Sequence, residues 1–347
     1  MVGRDKSVQN RIDVPSALLR TQVADPHVHC GLNPFGFGLG SPLRSDFGVY
    51  KEKMAGLNVT RAVLIPEPTY EVELSDGAIE RSCVWNINSD GSITYKRITT
   101  RNGKQQEDIN PNNPYMTGNL EILKTAISSN KICDGRKFYF APLFHPKLDT
   151  EDGFLRFADS SLTVAIKIHG ISTYCGPGDM PKWIINLAKK KDLPFIIHTD
   201  YIRSDKAADE FANLVRRNSA LKWAKWAIRN GVRAYLAHGI ALDPEAAHLV
   251  GSTDQLVVGT GPDFLINKQK ERLAIETEFL PGLLNMIPHK QIVFSTDYAW
   301  NVLDPSIPTV LDWQSKVRII DACISAGLDV NTIKRILYSN AAGFFRM

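Results

Sequence analysis

The chain has 347 residues, 44% hydrophobic and 22% charged, with a formal net charge of +4 spread over both signs. That balance excludes a disordered or fibrous polymer, and so small a positive excess does not point to nucleic acid as a partner. No apolar run reaches the roughly 18 residues that a bilayer-crossing helix needs, and the opening Met-Val-Gly-Arg-Asp-Lys has no signal-peptide core, so the sequence reads as cytoplasmic with no membrane partner.

Short apolar runs of strand type recur along the chain: 22–29, 61–66, 138–144, 163–169, 194–198, 233–238, 255–259 and 291–296. Each is rich in Val, Ile, Leu, Phe or Ala with few charges, as in strands buried on both faces of a parallel sheet. Amphipathic stretches separate them. Residues 118–129 and 180–191 read as helices, the second with Trp183, Ile184 and Leu187 at helical spacing and Lys189 to Lys191 at its C-terminal end. Residues 205–230 read as one long helix or two, stopped by Gly231. Residues 268–286, broken at Pro281-Gly282, then 309–326 and 331–345 complete the set.

Eight strands alternating with helices predict a (β/α)₈ TIM barrel, class α/β, with residues 1–347 forming one domain. The alternative, a doubly wound open sheet, usually carries Gly-x-Gly-x-x-Gly after its first strand. The loop here, Cys30 to Gly40, has several glycines but not that spacing. About seventy residues separate the second and third runs, more than a βα unit needs. Residues 68–117 are therefore read as an insertion of β-hairpin type over the active end, a lid or an oligomer contact. Its hairpin is expected at 71–106, turning at Ser89-Asp-Gly-Ser92. The five cysteines, Cys30, Cys83, Cys133, Cys175 and Cys323, are odd in number and lack Cys-x-x-Cys, which fits reduced thiols.

The chemistry lies in Ala-Asp-Pro-His27-Val-His29-Cys. Two histidines one residue apart on a strand point the same way, so their imidazoles can reach one transition-metal ion. His145, Lys167, His169, His198, His238 and Asp297 lie at or next to the ends of later runs. Six of the eight histidines are thus at strand ends. In a barrel those ends open onto one mouth. A carboxylate ending an apolar run, as Asp297 does, needs a cation or a hydrogen-bond partner. His248 and His289 read as surface residues.

His27-Val-His29, His198, His238 and Asp297 in that order, with Asp25-x-His27-x-His29, Ser-Thr-Asp297-Tyr and the closing Ile336-Leu-Tyr-Ser-Asn-Ala-Ala-Gly-Phe-Phe345, resemble the amidohydrolase superfamily of metal-dependent barrels. The branch they resemble includes carboxymuconate-semialdehyde-type decarboxylases and related hydrolases. The resemblance spans residues 22 to 345 and implies that His27, His29, His198 and Asp297 hold a divalent metal, zinc first among the candidates. It implies that His238, with Asp297, moves protons, and that Asp25 supports the first-strand ligands from behind. Lys167 has two readings. Carbamylated, it bridges two ions; unmodified, as the Lys-x-His-Gly ending suggests, it leaves one ion and contacts a substrate carboxylate or a core-edge partner. His145, His169, Arg203 and Trp300 are candidates for binding a small-molecule substrate, as are Asp200 and Tyr201 just past a strand end.

The implied activity is cleavage of an amide, lactone or ester by metal-activated water. One rival keeps the metal and removes carbon dioxide from an aromatic or unsaturated acid, a lyase reaction, with Lys167 or Arg203 clamping the carboxylate and Phe35, Phe37 and Phe47 packing the ring. A second rival is an inactive binding or scaffold barrel. A homo-oligomer paired through the insertion is a further expectation.

Overall fold

A computed structural model describes residues 15–33, 43–45, 47, 50, 56–67, 71–73, 76–90, 92–132, 135–199, 209–261, 279–297 and 313–347. Among these, the strands in chain order are β1 (Val23–Asn33), β2 (Leu43–Ser45), β3 (Val59–Pro66), β4 (Glu71–Glu73), β5 (Ile79–Ile87), β6 (Ile93–Arg101), β7 (Lys104–Ile109), β8 (Lys137–Phe140), β9 (Ile166–Ile168), β10 (Phe195–Ile197), β11 (Ala234–Leu236), β12 (Leu256–Gly259) and β13 (Ile292–Val293). The protein is of class α/β. Strands β1, β3 and β8 pair in parallel, and β9 to β13 pair in parallel in sequence order. These eight strands coincide with the eight apolar runs read from the sequence.

Two parallel bridges, Phe140 with Thr163 and Leu143 with Lys167, connect β8 to the segment entering β9. At the other side, Thr296 just past β13 donates its backbone N–H to Asp25 of β1 at 3.1 Å. Every residue of β9, β10, β11 and β12 is buried. Such strands have no solvent face, so alternation sorts their side chains between two apolar layers. Ile166, Ile168, Phe195, Ile197, Leu236 and Val258 face the layer that the helices fill with Ile184, Leu187 and Trp223. Ile196, Tyr235, Val257 and Val293 face the other layer, which the closing helix Asn340–Phe345 fills with Ala341, Phe344 and Phe345. Lys167 lies between Ile166 and Ile168 in β9, opposite Ile196, and so joins this second face.

The helices follow their local signals. Asp209–Arg217 and Ala220–Asn230 are two helices, the second closed by Gly231 at φ +60°. Lys182–Lys191 and Met116–Ile132 match expectation within a few residues. Leu280–Met286 and Trp313–Ser325 carry the described parts of two others. The last stretch is interrupted by one π-helical turn, Arg335–Ser339, whose Ile336 carbonyl accepts from Phe294 N–H at 3.0 Å. No helix among the described residues is long and apolar enough to cross a membrane.

Between β3 and β8 the chain builds more than a hairpin. Strands β4, β5, β6 and β7 form an antiparallel ribbon continued from the C-terminal half of β1, where Leu32 pairs with Glu71. The turn at 88–92 joins β5 to β6, closed by Asn88 N–H on the Ser92 carbonyl at 2.9 Å. Sequence alternation is weak in β7, all six residues of which are exposed, and that hides the strand from a periodicity reading.

At the N-terminal end, Lys316 is fully buried. Its ammonium donates to the carbonyls of Leu19 (2.8 Å), Thr21 (2.7 Å) and Leu57 (3.0 Å), tying Trp313–Ser325 to the segments that enter β1 and β3. Lys316→Met leaves those carbonyls without this donor and should lower the unfolding free energy by roughly 3 kcal/mol. Urea titration checks this; a loss below about 0.5 kcal/mol would mean that the three bonds secure nothing.

Candidate metal centre

The side chains that matter leave the C-terminal ends of parallel strands, where loops are free to vary over a rigid frame. His27 and His29 lie within β1, His198 directly follows β10, His238 follows β11 by one residue, and Asp297 lies past β13. His238 and Asp297 both adopt left-handed backbone, at φ +59° and +51°. Such a conformation costs a non-glycine residue roughly 1–2 kcal/mol. The next residue after His238, Gly239, has φ +61°, and a Cβ there would lie 2.2 Å from the Phe279 ring. Only glycine fits that turn.

His27, His29 and Asp297 converge. The two Nε2 atoms are 3.1 Å apart, and Asp297 Oδ1 lies 3.3 Å from that of His27 and 3.8 Å from that of His29. All three residues are buried, and their ligand atoms lie within 4.8 Å of one another. The hydrogen bonds fix where the lone pairs point. His29 Nδ1–H donates to the Pro66 carbonyl at 3.4 Å, which leaves its Nε2 unprotonated. Lys167 Nζ lies 2.8 Å from His27 Nε2; as an ammonium it donates there and occupies that lone pair, so the bond has to be released before His27 can ligate an ion. Two imidazole nitrogens and a carboxylate oxygen gathered in a buried space form a donor set suited to a divalent cation once Lys167 gives up its bond to His27.

His198 lies outside this three-residue group. Its Nδ1 is 2.9 Å from His238 Nε2, one proton being shared between them, and its ring stacks on His169 with centroids 3.9 Å apart. His238 Nδ1 lies 3.6 Å from Asp297 Oδ2, so Asp297 faces the imidazole pair of β1 with one oxygen and His238 with the other. Burial pushes the imidazoles of His27, His29 and His169 well below their ordinary range, helped at each by the cationic Lys167 and the neighbouring histidines. The ligands are therefore neutral, as metal binding requires.

Asp25 is the anchor behind them. Its carboxylate accepts from Thr296 N–H (3.1 Å), Thr296 Oγ1 (2.5 Å), Tyr50 Oη (3.2 Å) and His27 N–H (3.3 Å). Burial raises it to about 6 against the pull of those four donors. Tyr235 lies beneath, its ring 5.9 Å from that of His27 at 84°. Gly259 must be glycine, since a Cβ there would sit 1.9 Å from the Tyr235 hydroxyl.

His145 stands farther out, buried between Tyr95 (ring centroids 4.6 Å, 88°) and Tyr115 (6.0 Å). Of the other substrate candidates, Arg203 and Trp300, with Asp200, Tyr201, Phe35 and Phe37, lie outside the described residues. Phe47 packs against Phe138 at 5.0 Å in the helix-side core. Sequence reasoning overlooked Glu67, buried, with Oε2 3.9 Å from His29 Nδ1. The signal was present, for Glu67 follows Val-Leu-Ile-Pro as Asp297 follows its own run. It also missed Thr296 and Tyr50, whose parts follow only from three-dimensional proximity to Asp25.

No protein-family model and no curated protein matches this chain in sequence. Solved structures do resemble it in fold. The IDCase of Metarhizium anisopliae, in apo form, superposes with a TM-score of 0.56 at 11% identity, covering 95% of this chain and 98% of that one. A structure described as an amidohydrolase II gives 0.54 at 9% identity, over 94% and 100% of the two chains. An Agrobacterium tumefaciens protein in apo form gives 0.51 at 11%, over 94% and 96%. The likeness is one of fold, running nearly end to end.

The titrations set a pH dependence. His27, His29, His145 and His169 are held neutral when folded, His145 down to about 3, whereas unfolded imidazoles take protons below about 6.5. Asp25, raised to about 6, and Asp149, raised to about 8 by burial, act oppositely by keeping protons that unfolded carboxyls release above 3.8. Burial raises Asp321 as well, so four imidazoles stand against three carboxyls and the balance is still net proton uptake on unfolding. The denaturation midpoint of the metal-free protein should therefore fall as pH drops from 7 toward 5. A midpoint that rises over that interval would mean that the imidazoles are charged in the folded protein.

Proposed function

We propose that this protein is a metal-dependent enzyme of the amidohydrolase type, built as a closed barrel of the eight parallel strands. The bridges from β8 to β9 and the Thr296–Asp25 bond support closure at both seams. The antiparallel ribbon, within residues 68–117, is then an insertion at the active end of a single domain spanning 1–347. The observation that carries the reading is the convergence of the His27 and His29 Nε2 atoms, 3.1 Å apart and faced by Asp297 Oδ1.

In this reading His27, His29 and Asp297 hold one divalent ion, zinc by preference, with His198 as the fourth protein ligand. When bound, such an ion supplies Lewis acidity, polarising a carbonyl oxygen and lowering the pKa of water toward roughly 7. His238 is the proton carrier. Its Nδ1 faces Asp297 Oδ2 and its Nε2 faces His198, so a proton taken at one nitrogen is balanced by a neighbour at the other. Asp25 and Tyr50 hold the backbone of β1 still while this happens. The reaction is hydrolysis of an amide, lactone or ester in a small molecule, with His238 returning its proton to the leaving group.

Lys167 supports a second reading. It is fully buried with its ammonium 2.8 Å from His27 Nε2, a fixed cation beside the ligand set. An unmodified lysine there pairs with a substrate carboxylate, and a carboxylate so held is the group lost in non-oxidative decarboxylation. Carbamylation of Lys167 instead converts it to an anion able to bridge two ions.

Metal analysis should find one divalent ion per chain and an unmodified mass at Lys167. His29→Asn should abolish metal binding. His238→Asn should keep the ion and lower kcat by about 10²- to 10⁴-fold. Turnover of an amide, lactone or ester panel supports hydrolysis, and carbon dioxide release from aromatic acids supports the lyase. A wild-type protein that binds no divalent ion refutes both.

A further inference from the structure

The antiparallel ribbon reaches the candidate centre through a chain of contacts that ends on an imidazole. Trp85 of β5 donates its indole N–H to the Ile171 carbonyl at 3.1 Å. Tyr95 of β6 donates its hydroxyl to the Thr173 carbonyl at 2.8 Å. Both acceptors belong to one short helical turn, Gly170–Thr173. The Trp85 ring also packs on Tyr174, with centroids 4.9 Å apart, at the left-handed residue that ends the turn. Two polar groups and one ring from the ribbon therefore hold three residues of one short segment, Ile171, Thr173 and Tyr174.

That turn in turn sets His169. Its Nδ1 accepts from Ser172 N–H at 3.2 Å and lies 2.9 Å from Ser172 Oγ, as an N-cap does, so the ring proton sits on Nε2. The plane thus fixed lies flat on His198, centroids 3.9 Å apart and planes within 23°. His198 then meets His238 across 2.9 Å. The turn is closely packed at its start: a Cβ on Gly170 would lie 1.8 Å from Asn218 Oδ1 and 2.7 Å from the Cys175 carbonyl.

We propose that Trp85 and Tyr95 are positioning residues: the ribbon fixes the tautomer and plane of His169, and through that ring the orientation of His198. The ribbon is then a part of the centre's wall, contributing order to a ligand it never touches. The proposal rests on the metal-centre reading above for the role of His198, but its structural half does not.

The test uses the full-length protein labelled with ¹⁵N-histidine, with zinc as the metal probe. In the wild type, His169 should give the signals of a single Nε2–H tautomer before zinc is added. Tyr95→Phe keeps the ring against His145 and removes the bond to Thr173, and Trp85→Phe removes the bond to Ile171. Each should leave the thermal midpoint within a few degrees, mix the His169 tautomers and weaken zinc binding about tenfold, the lower end of what a lost supporting partner costs. Lys96→Gln, in an exposed ion pair with Glu107 on the same ribbon, should change neither readout. Unchanged His169 signals in both variants overturn the proposal, even if zinc binding falls, because the effect then bypasses that ring. Loss of the fold in Tyr95→Phe overturns it too, for the ribbon would then support the domain and not the centre. If the wild type fails to bind zinc, the functional reading falls while the tautomer comparison still decides this one.

Discussion

Two buried imidazole nitrogens, of His27 and His29, meet at 3.1 Å, with a carboxylate oxygen of Asp297 3.3 Å from the first. The surrounding structure is arranged to impose that meeting. The Pro66 carbonyl captures the proton of His29 on its far side, and Lys167 supplies an ammonium to His27. Asp25 clamps the backbone between β1 and the end of β13, so the strand cannot slide to ease the contact. Asp297, set in strained left-handed backbone, adds the counter-charge. The cost of holding these groups together is met by the apolar layers on both faces of the sheets.

The frame was open to a reader of the sequence because its strands are buried on both faces and so appear as unbroken apolar runs. Each parallel strand coincided with one run, and the two-residue spacing of His27 and His29 was enough to aim both rings one way. Asp297 was legible for a related reason: a carboxylate ending an apolar run has to be compensated. Other features left no trace in spacing. The tautomer of His29 depends on a backbone carbonyl at residue 66, and the anchoring of Asp25 depends on Thr296 and Tyr50, which no local pattern connects. The ribbon was read as one hairpin because its outer strand is wholly exposed, and exposed strands carry no apolar period. Glu67 was overlooked although the rule applied to Asp297 covers it equally.

His169 illustrates how an imidazole near a candidate metal centre can serve without being a ligand. With Nδ1 engaged by Ser172 and its face against His198, it works as a plate on which another ring rests. The same economy recurs at Tyr235, whose hydroxyl fills the space that any side chain at residue 259 would need. Histidine abundance at the strand ends therefore overstates the number of candidate ligands.

The clamp on Asp25 joins residues 271 positions apart in the chain. During synthesis the first strand emerges long before Thr296 and Asp297 exist to meet it. The proposed cage is therefore incomplete in the nascent chain until residues 296 and 297 have emerged. Closing such a distant contact late also makes folding slow, since loop entropy must be surrendered before the last strand is rewarded. On this topology, loading of the proposed ion follows the pairing of the first strand with residues 296 and 297.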